Sequence, residues 1–159
     1  MKSVRFQQEF ICIDIQGYTI PEFIPKEMTI INQHGDVHHY LFNSPPLANI
    51  ASKYRRCIKW LDRYHHGISW RRMGILWNPT VIFGEFPSVV VYVKGHQKAQ
   101  LLSRYYDNVI NLEFVEGVPK YAKTSYYCTQ HDECGAAWSC SYVNTKLLYD
   151  YIINNKMYY

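Results

Sequence analysis

The sequence predicts one α/β domain in which a mixed sheet of five strands is flanked by helices. Three observations predict it. The N-terminal third alternates with a period of two; two later apolar runs are strand-length; and the segments between and after them have helical spacing. At 159 residues and 48% hydrophobic content, the chain suits a single domain spanning 1–159 with a real core.

The first strand is expected at Glu9–Gln16, where apolar residues fall on both faces, as in a central strand covered on each side. Gly17 and Pro21 end it, and Pro25 introduces a second strand, Glu27–Asn32. Gly35-Asp36 turns the chain into a third, Val37–Phe42, which makes a hairpin with the second. After the Ser44-Pro45-Pro46 break, a helix is expected over Ile50–Tyr64. Its inward stripe is Ile50, Tyr54, Ile58 and Leu61, with Lys53, Arg55, Arg56, Lys59 and Arg63 elsewhere. His65–Pro87 reads as an irregular excursion. Val89–Val93 is a buried strand, Gln97–Tyr106 a helix and Val109–Phe114 a fifth strand. Cys140–Asn154 is a closing helix with Val143, Leu147, Leu148, Tyr151 and Ile152 turned inward. The order β-β-β-α-β-α-β-α is that of the ribonuclease H-like fold.

Net charge is +4 and the pI near 8.7, which permits a polyanionic partner without requiring one. Fifteen tyrosines suit a core rim or a surface on which bases stack. No apolar run reaches the ~20 residues that span a bilayer, so no membrane partner is expected. The start, MKSVRFQQEF, lacks the apolar segment of a secretory signal. A cytoplasmic or nuclear, reducing setting is therefore expected, with the five cysteines free or metal-bound. Three of these crowd together at Cys128, Cys134 and Cys140. Cys128 and His131 are spaced to turn toward one point, and Cys140 falls where the last helix begins. N/S ligands of this kind suit zinc better than magnesium or calcium. For a fourth ligand, Cys134, Glu27, His39 and His66 stand open.

These pieces resemble the MAEL domain of Maelstrom proteins, factors of piRNA transposon silencing. That domain has a ribonuclease H-like fold related to DEDDh exonucleases, with a Glu-His-His-Cys-His-Cys set in place of the usual carboxylates. The matching residues, in order, are Pro25-Lys26-Glu27, His39-Tyr40-Leu41-Phe42-Asn43, His65-His66-Gly67-Ile68, Cys128-x2-His131 and Cys140-x5-Lys146-x2-Tyr149. The loop between His131 and Cys140 is one residue longer than the family's. The likeness runs from about Phe10 to Ile153, with most positions between motifs divergent. It implies a structural zinc held by Cys128, His131 and Cys140 with Glu27, or alternatively His66, as fourth ligand. His39 would orient a ligand from behind.

The resemblance also implies single-stranded RNA binding, with metal-independent endoribonuclease activity reported for the family, in a small-RNA, transposon-silencing or mobile-element setting. Basic residues interleave with aromatics at Tyr54-Arg55-Arg56, Lys59-Trp60, Arg63-Tyr64, Trp70-Arg71-Arg72 and Arg104-Tyr105-Tyr106, a pattern that reaches phosphates while rings stack on bases. Two-metal exonuclease chemistry is not expected. It needs converging carboxylates, whereas Asp14 stands with Gln16, Lys98 and Asn144 where further acids belong. His65 and His96 are the groups able to perform acid–base cleavage without a metal. A non-enzymatic module that binds a protein partner is the competing class.

Overall fold

The computed structural model describes residues 8–123, 131 and 139–157. Five strands form one sheet in the order β3-β2-β1-β4-β5: β1 (Phe10–Thr19), β2 (Phe23–Asn32), β3 (Val37–Leu41), β4 (Val90–Val93) and β5 (Val109–Asn111). The first three are antiparallel neighbours, while β4 runs parallel to β1 and β5 parallel to β4. The helices are α1 (Arg55–Tyr64), α2 (Pro79–Gly84), α3 (His96–Leu102) and α4 (Ser141–Asn154). No helix among the described residues is long and apolar enough to cross a membrane.

β1 lies at the centre, which is why both of its faces are apolar. Ile11, Ile13 and Ile15 join Met28, Ile30, Val91 and Val93 in a core with α2 and α3. Phe10 and Cys12 pack on the opposite face with Tyr92, Leu148 and Ile152, under α4. A third cluster seats α1, with Ile58 against Tyr18, Ile20 and Trp70. The strands outrun their expected ends because Gly17 and Pro25 pair across a bulge. A Cβ on Gly17 would sit 2.1 Å from the Ile24 carbonyl oxygen, so only glycine fits there.

Several expected elements differ, among them the helix expected over Gln97–Tyr106, which ends at Leu102. The helix expected from Ile50 begins at Arg55; before it the chain makes two 3-10 turns, Leu47–Asn49 and Ser52–Tyr54. Ile50, Tyr54 and Leu61 still pack as expected, because tight turns preserve the direction of the stripe. The excursion after His65 contains α2, which Asn78 caps through Val81 N–H with Pro79 at its first turn. β5 stops at Asn111, whose side chain accepts from both Gly95 and Glu113 N–H and turns the chain outward. Finally, the buried face of α4 is Ser141, Asn144, Thr145, Leu148 and Ile152, while Leu147 is exposed. Its first half is polar because it meets buried polar groups of the sheet.

Candidate metal centre and basic face

Alternation along β2 points Met28 and Ile30 into the core and Glu27 and Thr29 toward the start of α4. Thr29 Oγ1 and Ser141 Oγ lie 2.8 Å apart, and Thr145 Oγ1 donates to the Thr29 carbonyl. Glu27 is fully buried. Its Oε1 accepts the Ser141 backbone N–H at 2.8 Å, so the carboxylate caps α4 from another element and faces the positive end of the helix dipole. Its Oε2 accepts from His39 Nε2 at 2.7 Å and lies 3.2 Å from His131 Nε2. Burial alone would raise this carboxyl; the neighbouring His131 and His39 rings outweigh it and hold the group down at about 2.

Cys140, also buried, is the residue before the first turn of α4. One ligand atom from each of Glu27, His131 and Cys140 lies within 4.8 Å of the others, so the three form a buried group able to hold a metal ion. The His131 ring shows why a cation suits it. His131 Nδ1 meets the His66 carbonyl oxygen, which can only accept, so Nδ1 carries the proton. A neutral ring then turns the Nε2 lone pair toward Glu27 Oε2. Two acceptors facing one another repel unless a proton or a metal ion lies between them.

The other expected ligands are placed differently. Cys128 and Cys134 lie outside the described residues. His39 meets Glu27 through Nε2. His66 is buried, but its Nδ1 accepts Ile68 N–H at 3.2 Å. Its Nε2 is buried with no hydrogen-bond partner among the described residues. Burial also drives this imidazole down to about 3. His66 lies outside the Glu27 group and contributes its carbonyl to His131.

The Asp14 residues converge as well. Asp14, Gln16 and Asn144 are buried, and Asp14 Oδ2 accepts from Gln16 Nε2 and Asn144 Nδ2, each at 2.9 Å. Asp14 Oδ1 pairs with Lys98 Nζ at 2.5 Å. An ammonium thus supplies the positive charge that this lone carboxylate needs, and two amides donate to its other oxygen. A pair of divalent cations would find one carboxylate here. The sequence marked Gln16, Lys98 and Asn144 as departures; it did not show that all three bind Asp14.

Arg55, Arg56, Lys59 and Arg63 are exposed on α1, with Trp60 54% and Tyr64 50% exposed among them. Asp62, the only acid of this helix, is turned away and accepts from Tyr18 Oη and Trp70 N–H. Arg63 lies over the Tyr64 ring at 5.5 Å. Arg71 is exposed and Arg72 half-buried beyond Trp70. His65 ends α1 half-buried; burial, Lys123 and Lys98 lower its affinity for a proton. His96 is exposed at the start of α3.

One fully buried group had no signal in the sequence. Lys26 donates to Ser44 Oγ at 3.0 Å, Trp70 O at 3.1 Å and Arg72 O at 2.7 Å, using all three N–H bonds. Burial lowers its pKa to about 8.

Compared with known proteins, the chain matches no protein-family model, no curated protein and no solved structure.

Proposed function

We propose that the protein is a zinc-stapled ribonuclease H-like domain that binds single-stranded RNA through α1. The observation that carries the binding is the outer face of that helix. Four cations flank two rings that are about half exposed, and the helix's only acid is turned inward. Such a face neutralises phosphates and stacks bases with little sequence preference. The strand order β3-β2-β1-β4-β5 and the ordered motifs of the sequence support the ribonuclease H-like and MAEL-like reading.

In this reading Glu27, His131 and Cys140 hold zinc, with Cys128 as the fourth ligand. The ion takes the place of the proton between His131 and Glu27. When bound it supplies structural cross-linking between β2 and the start of α4. The Asp14 centre argues against two-metal exonuclease chemistry, because Lys98 already neutralises its carboxylate.

The decisive experiment titrates the zinc-loaded protein with a labelled single-stranded RNA at several salt concentrations, then repeats it with Arg55→Ala/Arg56→Ala/Lys59→Ala/Arg63→Ala. Affinity should fall as salt rises, and the variant should bind at least about tenfold more weakly with a shallower salt slope. Equal binding by the variant would remove α1 as the surface. Cleavage of the same RNA in chelator by ribonuclease-free protein would add endoribonuclease activity to binding.

A further inference from the structure

We propose that metal binding at Glu27, His131 and Cys140 is coupled to RNA binding on α1, through three successive carbonyls at the end of that helix. The proposal rests on the RNA-binding reading of α1 and the zinc reading of the centre, and makes one the regulator of the other.

Taken alone, α1 is a weak helix. Its 10 residues fall short of the ~12–15 that a helix needs to persist in water, and Ile58 is the one buried residue among them. Arg55 and Arg56 occupy the first turn, where the helix dipole opposes cations. Its order therefore depends on what grips it from outside. Asp62 ties its middle to Tyr18 Oη and Trp70 N–H. Its end is held by the C-terminal part of the chain. Lys123 Nζ donates to the Tyr64 carbonyl, Ser139 N–H to the His65 carbonyl at 2.8 Å, and His131 Nδ1 to the His66 carbonyl. A helix end leaves such carbonyls without partners of its own, so each donor restrains the last turn.

Two of the three donors belong to the metal group or adjoin it. His131 is one of its ligands, and Ser139 immediately precedes Cys140, another. A cation on His131 Nε2 draws electron density from the ring and makes Nδ1–H a stronger donor to His66. The same cation fixes Cys140, and with it the adjacent Ser139 N–H. Metal thus tightens the grip on His65 and His66. The turn so fixed carries Arg63 and Tyr64, and the Tyr64 ring lies 6.0 Å from that of Trp60. A turn ordered in advance spares the RNA the entropy cost of ordering it. The coupling is reciprocal, so RNA tightens metal binding by the factor by which metal tightens RNA binding.

The test has two arms on the whole chain, with and without zinc. Amide hydrogen exchange in the absence of RNA compares His65 and His66, whose N–H groups donate to the Leu61 carbonyl, with the amides of β1 and β2. Zinc should slow exchange at His65 and His66 by at least about tenfold more than in the strands. An oligouridylate is then titrated into both forms, and zinc affinity is measured against a chromogenic chelator with and without saturating oligomer. Each ligand should tighten the other by the same factor, about tenfold. Ser139→Pro lacks the N–H but keeps every metal ligand, and should bind the oligomer about threefold or more weakly at full zinc content. Zinc affinity unchanged by saturating oligomer, or strand amides released as far as His65 and His66 when zinc is removed, would overturn the coupling and leave the α1 reading standing. Equal binding by Ser139→Pro at full zinc content would do the same. If zinc protects His65 and His66 but the α1 quadruple variant binds the oligomer as wild type does, the α1 reading fails, and the coupling to RNA fails with it.

Discussion

Replacing Lys98 with methionine tests the reading that an ammonium completes the Asp14 centre. At 2.5 Å the pair attracts by about 7 kcal/mol at an effective dielectric constant of about 20. Dehydration of both ions offsets much of this, and removing one partner of a buried pair costs about 3–5 kcal/mol. Lys98 retains 19% of its side-chain exposure, so water replaces part of its role and the expected loss is near the lower end, about 3 kcal/mol. In a domain of this size that lowers the melting temperature by about 6–12 °C. Asp14→Asn should cost less, about 1–2 kcal/mol, because the freed ammonium can turn to solvent whereas the carboxylate is wholly buried. Chemical denaturation of both single variants and the double variant gives the coupling energy, expected at about 2 kcal/mol. Lys98→Met within about 0.5 kcal/mol of wild type, or costing less than Asp14→Asn, would refute the reasoning.

Other consequences are more local. Glu27→Gln should lower zinc content below one per chain and destabilise by about 3 kcal/mol, measured by elemental analysis and denaturation, since it removes a charge that caps α4 and binds both histidines. Chelation of wild type should lower the melting temperature, and Cys140→Ala should abolish that sensitivity; an unchanged response would place the metal elsewhere. Gly17→Ala should cost more than about 2 kcal/mol, because its Cβ collides with backbone rather than a movable side chain. Lys26 is protonated more readily unfolded, near 10.5, than folded, near 8, so its protonation opposes folding below that window. Stability of wild type relative to Lys26→Met should therefore rise from about pH 8 toward about pH 10, by up to ~3 kcal/mol, and a flat difference would contradict the burial of this charge.

The sheet was legible where apolar composition and burial agree. β1 is apolar on both faces and buried on both, Gly35-Asp36 supplies the turn, and β4 is an unbroken apolar run. α2 escaped because His65–Pro87 is rich in Gly, Pro and Trp and reads as irregular, although asparagine before proline is also a helix start. The buried stripe of α4 escaped for a different reason. Hydrophobic counting assigns Leu147 inward and cannot place Ser141, Asn144 and Thr145 there, since their burial depends on Thr29 and Asp14, more than a hundred residues away. Glu27, His131 and Cys140 were legible as ligand types. That Glu27 is the one brought within reach of the other two was not, because it depends on β2 meeting the start of α4, 114 residues later. Likewise Lys26 reads as a surface residue until the folded chain brings three oxygens to it.

Glu27 sits in the second strand, and the N–H it caps lies 114 residues later. The two partners are thus made far apart in time. A nascent chain displays the Glu27 carboxylate long before the N–H that caps it. A product ending before Cys140 would leave that carboxylate without its cap and the Phe10–Cys12 face of the sheet without the helix that covers it.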